Sequence, residues 1–172
     1  MKTFVKKSIL FPLIALLLSC ADGDLQIEPI DFETVDPQLC GTASTDTELL
    51  FKIDGTEALI LELQSGLLRN EVSEDTIRSP IPDQSQLFLR IFSENVNASY
   101  FCDAVPPVIP TVVEEITAAT GTLLVFTTRS PADTTRFEHQ ISFQGVSFVN
   151  SAGERFTKLT VENFGTLQTS AD

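Results

Sequence analysis

The chain has 172 residues, of which 42% are hydrophobic and 20% charged, with a formal net charge of −13, one histidine, three cysteines and no tryptophan. The length is sufficient for a sizeable core, and the charge excludes a nucleic-acid partner, because a footprint on phosphates needs clustered Lys and Arg. No CxxC pair occurs, so neither a dithiol redox motif nor a thiolate zinc site is indicated.

The chain opens on a basic stretch, Lys2, Lys6 and Lys7, followed by the apolar run Ile9 to Leu18. A bilayer-spanning helix needs about 20 apolar residues, whereas this run has ten and contains Pro12. It reads as a signal peptide. The run ends at Leu17-Leu18-Ser19-Cys20, which resembles the lipobox of bacterial lipoproteins: an aliphatic residue, a tolerant position, a small residue, then cysteine. The resemblance implies that the Cys20 sulfur takes a diacylglycerol by thioether linkage and that residues 1–19 are then removed. Leu18 is bulkier than usual at its position, and the competing reading is an ordinary signal peptide with Cys20 an unmodified early residue. Two or three acyl chains suffice for stable anchoring, at about 0.8 kcal/mol per buried methylene.

Removal of residues 1–19 takes the three lysines with it. The remainder carries eight basic residues (11 less those three) against 24 acidic ones, a formal balance of −16. The eight are scattered singly along the chain, and the acidic body repels anionic headgroups, so acyl chains rather than protein charge would hold a membrane. With Cys20 lipidated, Cys40 and Cys102 form an even pair in a compartment that permits oxidation, and a disulfide is expected. Two separate buried thiols are the alternative.

Residues 20–24, the lipidated cysteine and Ala21-Asp22-Gly23-Asp24, read as a short acidic stalk. From Leu25 to Asp172 the pattern is strand after strand. The runs Thr47 to Ile53 and Glu57 to Leu63 flank Asp54-Gly55-Thr56 and predict a hairpin. Gln86 to Phe92 places Leu87, Leu89 and Ile91 on one face and Phe88 and Phe92 on the other, so both faces are expected to be covered. Val105-Pro106-Pro107-Val108-Ile109-Pro110 cannot lie in a central strand, since proline donates no ladder hydrogen bond. Thr111 to Ile116 and Thr122 to Thr128 predict a second hairpin around Ala118-Ala119-Thr120-Gly121, with a helix over Val113 to Ala119 as the rival.

The clearest alternation is Arg136 to Phe143, with Phe137, His139, Ile141 and Phe143 on one face. The phase then slips to Val146 and Phe148, and Gly145 is the expected bulge residue. Ser151 to Glu154 is a turn signal before Phe156, Leu159, Val161 and Phe164. Eight or nine short strands predict an all-β fold, a single antiparallel β-sandwich, Ig-like or jelly-roll-like, after the signal peptide.

Few residues are available for chemistry. His139 shares its face with three core residues and is expected to be a satisfied core histidine rather than a base, and no G-x-S-x-G elbow accompanies it. Glu114, Glu115, Glu138 and Glu154 could supply paired carboxylates for glycoside hydrolysis only from separate strands. Asp22, Asp24, Asp31, Glu33 and Asp36 are hard oxygen donors without EF-hand spacing, and they read as solvated acids rather than a calcium site. Asn97-Ala98-Ser99 matches a glycosylation pattern that has no expected use behind a lipobox. No catalytic residue, metal site or cofactor is expected.

The strings Cys20-Ala21-Asp22-Gly23-Asp24-Leu25-Gln26-Ile27-Glu28, Ser65-Gly66-Leu67-Leu68-Arg69-Asn70-Glu71 and Ser147-Phe148-Val149-Asn150 with Gly153-Glu154-Arg155 resemble those of uncharacterised small lipoproteins of the flavobacterial, Bacteroidetes type. The resemblance implies a cell-envelope, outer-membrane location, and acids after the lipidated cysteine that act as a surface-export signal; Gly23 interrupts them here, so either face of that membrane stays open. The expectation is a non-enzymatic binding or scaffolding module. Its partners would be membrane lipid, through acylated Cys20, and an envelope protein or glycan. The alternative is a glycan-acting hydrolase.

Overall fold

The computed structural model describes residues 31–150, 153, 155–156 and 162–171. The expected signal peptide, Cys20 and the expected acidic stalk lie outside these residues. Eight strands and one short helix are described: β1 (Leu49–Asp54), β2 (Glu57–Glu62), β3 (Ile77–Ile81), β4 (Gln86–Phe92), α1 (Ser99–Cys102), β5 (Val112–Arg129), β6 (Arg136–Val149), β7 (Arg155–Phe156) and β8 (Asn163–Ser170). Among the described residues, no helix is long and apolar enough to cross a membrane.

The all-β, antiparallel expectation holds. However, all eight strands belong to one hydrogen-bonded sheet, curled into a half-barrel, rather than to two separately bonded layers of a sandwich. The expected hairpin is β1 and β2, paired from Leu49↔Glu62 to Asp54↔Glu57. The second expected hairpin is not formed. Val112 to Thr128 belong instead to one 18-residue strand, β5, and the rival helix over Val113 to Ala119 is equally excluded.

The reason lies in the partner strand. β6 runs beside β5 from Thr117↔Val149 to Arg129↔Phe137, with register breaks between Ala118 and Thr122. In β5 the buried positions change from even (Ile116, Ala118) to odd (Leu123, Val125, Thr127) across that break. In β6 they pass from Phe143 to Ser147 and Phe148 across Gly145, the expected bulge. Both strands therefore slip at the same level, and inward side chains stay inward on either side of the bend. The approach there is close: a Cβ on Gly121, at φ +148°, would lie 2.7 Å from Val146 Cγ2 and 3.1 Å from its Cα.

The bend divides the sheet into two wings that share β5 and β6. One wing carries β1, β2 and β4 beside the first half of β5, with β7 on the far edge of β6; the other carries β3 beside the second half of β5, with β8 beside the first half of β6. Pro80 sits in β3, whose hydrogen-bonded neighbour is β5 alone, the kind of place where a strand proline is tolerated. Within the curl one core draws on both wings, including Leu50, Leu59, Leu61, Leu87, Leu89, Ile116, Leu123, Val125, Ile141, Phe148 and Phe164.

A second cluster covers the outer face of the first wing. Phe51, Ala58, Ile60, Phe92 and Val96 are buried there beneath α1, with Phe101 stacked on Phe51 at 4.5 Å and Tyr100 edge-on to Phe92 at 4.8 Å. Both faces of β4 are thus covered, as its apolar pattern predicts. Cys40 and Cys102 are joined, with their Cα atoms 5.2 Å apart, so the disulfide ties α1 to the segment before β1. Cross-linking residues 62 apart constrains the unfolded chain by about 4 kcal/mol in the loop-entropy account. Of the last apolar set, Phe164 lies buried in β8, while Leu159 and Val161 fall outside the described residues.

Gly121→Ala should destabilise the protein by about 1–3 kcal/mol, read from the urea midpoint, because it forces a side chain into a glycine-only backbone and against Val146. Gly41→Ala, at φ +80° but in open space, should cost less. Equal losses would show that the contact with Val146 is not what requires glycine at 121.

Candidate functional site

Among the described residues, two ionisable side chains lie inside the curl, and both are held by structural bonds. His139, on β6, is fully buried. Its ring nitrogens face two hydroxyls, Thr127 Oγ1 on β5 at 2.8 Å from Nδ1 and Thr169 Oγ1 on β8 at 2.8 Å from Nε2. Proton counting settles the tautomer. Asn70 Nδ2 donates to the Ser170 carbonyl at 2.8 Å, and its Oδ1 accepts the Thr169 hydroxyl proton at 2.5 Å. Thr169 has no second proton and can only accept from His139, so Nε2 carries the hydrogen and Nδ1 accepts from Thr127.

Burial pushes the His139 pKa down from 6.5 to about 4. The ring is neutral at pH 7, and its lone pair is occupied by Thr127, so it is not presented as a base to any substrate. The sequence expectation of a satisfied core histidine is met. The network also ties the Leu63–Ser73 segment across one end of the curl, since Ser73 exchanges hydrogen bonds with Thr127 while Leu67 and Leu68 enter the core.

Lys52 is the group that pattern reading missed. It lies two residues after Leu50 on β1, on the same inward face, and is 1% exposed. Its Nζ donates to the Phe32 carbonyl at 2.8 Å and stands 5.3 Å from the centre of the Phe164 ring on β8. Burial lowers its pKa, partly offset by the negative charges of Asp36 and Glu33. Those acids, read from sequence as part of a solvated cluster, thus lie on a segment that closes the gap between the two wings. Phe32 enters the core, Gln38 pairs with Phe51 of β1, and Pro37 packs on β8 so closely that a Cβ on Gly165 would lie 2.8 Å from it.

Of the carboxylates considered for glycan hydrolysis, Glu114, Glu115 and Glu138 are described, and they are not brought together. Glu115 pairs with Arg90 across β4 and β5, Glu114 points to the opposite face of β5, and Glu138 accepts from Ser130 Oγ at 2.7 Å and Gln168 Nε2 at 3.1 Å. Glu154 lies outside the described residues. Among the described residues, three open surface depressions of about 240 to 290 Å3 are smaller than the roughly 300–1,000 Å3 usual for ligand pockets. The first is lined by Glu48, Glu62, Gln84 and Gln86, the second by Glu138, Gln140 and Thr166, the third by Glu71, Glu74 and Asp75. Among the described residues no group of three or more His, Cys, Asp or Glu is arranged to hold a metal ion, and no buried side-chain nitrogen or oxygen lacks a hydrogen-bond partner.

One surface feature stands apart from this satisfied interior. Val105, Val108, Ile109, Val112 and Val113 are exposed, in the loop between α1 and β5 and at the start of β5. The sequence places the prolines of this stretch off the sheet, as found, but carries no signal that its apolar side chains are left uncovered. Comparison with known proteins finds no matching family model, no matching curated protein and no matching solved structure.

Two outcomes follow from the buried groups. The unfolded chain binds a proton at His139 near pH 6.5 and the folded chain only near 4, so this residue's contribution is complete above pH 6.5 and is lost as pH falls towards 4. The gap corresponds to about 3 kcal/mol at most. In His139→Gln the loss of stability between pH 7 and pH 4 should be smaller by up to that amount, and parallel wild-type and variant curves would refute the assignment. Lys52→Ala should cost about 2–4 kcal/mol in urea unfolding through lost packing and an unmet Phe32 carbonyl, with Lys52→Met milder because it keeps the stem.

Proposed function

We propose that this protein is a lipid-anchored lipoprotein of the bacterial cell envelope, held on the outer membrane by acylated Cys20, and that its β-domain is a non-enzymatic module that binds or scaffolds another envelope component. The observation that carries the reading is the sequence Leu17-Leu18-Ser19-Cys20 after a basic and apolar leader. The likeness to flavobacterial lipoproteins supports it. The Cys40–Cys102 disulfide supports it independently, because such bonds persist in oxidising compartments outside the cytoplasm.

The non-enzymatic half of the reading draws on how the polar side chains are used. His139 and Lys52 are spent on closing the fold, and Glu115 and Glu138 on surface contacts between strands. Asp22 and Asp24, close to Cys20, serve in this reading as spacer or export signal, on either face of the membrane.

Cys20→Ser should abolish incorporation of labelled fatty acid and release the protein from the membrane fraction; undiminished labelling would overturn the anchor. Affinity recovery from detergent-solubilised envelopes should return one specific envelope protein or glycan with the wild-type chain. Repeated recovery of nothing would count against the binding role.

A further inference from the structure

The loop that leads into β5 is exposed in a way nothing else on the described surface matches. Val105 is 82% exposed, Val108 88%, Ile109 61% and Val113 67%. Ala104 to Val113 contains no charged residue, in a chain with 24 acids, and its nearest charges are Asp103 and Glu114 at its two ends. Isolated exposed apolar residues need no explanation, whereas several valines and an isoleucine in one uncharged stretch mark a surface that meets something apolar.

From this we propose that the Val105–Val113 loop is a membrane-contact element that seats in the bilayer surface carrying the acyl chains of Cys20; the inference rests on the anchored reading above. Lipid fits the loop better than a protein strand does. Pro106, Pro107 and Pro110 have no N–H to donate, so a strand added along the loop would find few partners. The same lack makes entry into lipid easier, because fewer backbone donors must be desolvated. Val and Ile side chains supply the buried apolar area on which interfacial binding depends.

The position of the loop agrees. Val105 is three residues after Cys102, so it begins within about 11 Å of that Cα, and Cys40 lies 5.2 Å from Cys102 on the segment that comes from Cys20. Asp31 is eleven steps along the chain from Cys20, a reach of up to about 40 Å. Anchor and loop can therefore meet one membrane together. Asp103 and Glu114 would stay at the headgroup level, which limits depth and favours zwitterionic over anionic lipid.

The absence of tryptophan from the chain allows a direct test. Ile109→Trp and, as a second site, Val108→Trp are introduced into the full acylated protein. The protein is reconstituted on phosphatidylcholine vesicles with and without brominated acyl chains. Val72→Trp, at an exposed apolar position outside the loop, serves as control. The expected result is blue-shifted emission at 108 and 109 that brominated lipid quenches, with water-like, unquenched emission at 72. Protein that floats with the vesicles but keeps water-like emission at 108 and 109 overturns the inference alone. Blue-shifted emission without bromine quenching means that a second copy covers the loop, and also overturns it. Failure to float overturns the anchored reading, and the inference with it.

Discussion

The coincident bend of β5 and β6 is the constraint on which the rest of the architecture depends. Two long antiparallel strands can change direction together only if both shift phase at the same level, and Gly121 opposite Val146 provides the close approach that makes this sterically feasible. Every other strand takes its place from that bend. β4 and β3 occupy the same edge of β5 on either side of it, and β7 and β8 the same edge of β6. The inward faces of both wings then look at one another and fill with the same apolar set. A flat sheet of the same residues would leave that face in water.

Bending creates a seam, and the polar residues inside the protein are used to close it. Lys52 on β1 meets Phe164 on β8 and the Phe32 carbonyl, so a charged head is accepted in the interior because it has an acceptor, an aromatic face and two nearby acids. The chain through Thr127, His139, Thr169 and Asn70 links β5, β6 and β8 to the segment that precedes β3, with every proton assigned. Groups spent in this way are unavailable for turnover. Among the described residues, the exposed surface differs from this interior in the uncharged apolar stretch from Val105 to Val113.

Much of this was legible in the residue order, and the exceptions have a common cause. The β1–β2 hairpin follows from the turn signal Asp54-Gly55-Thr56, the covered faces of β4 and the inward face of β6 with His139 from period-two alternation, and the bulge at Gly145 from the slip in its phase. Ala118-Ala119-Thr120-Gly121 reads as a hairpin turn and is a bulge instead, since small residues ending in glycine are the local signature of both. The neighbouring strand decides between them: β6 continues past this point, so β5 does too. Lys52 is hidden from pattern reading by its charge, although it sits two residues from Leu50 and so shares its face of β1. β3 carries Pro80, which argues against a strand unless its neighbour lies on one side only, as β5 does here.

The amino-acid order alone carries the basic and apolar stretch that ends at Cys20, the pair Cys40 and Cys102, the acidic balance and the strand pattern, because each depends on composition or on spacing within a few residues. The tertiary structure adds what depends on partners distant in the chain: one curled sheet in place of two stacked ones, the closing of its seam by residues 31–40, the full spending of His139 and Lys52 on structure, and the exposure of Val105 to Val113. Alternation tells which side chains share a face. Which faces are buried, and which are left bare, depends on what the rest of the chain brings to cover them.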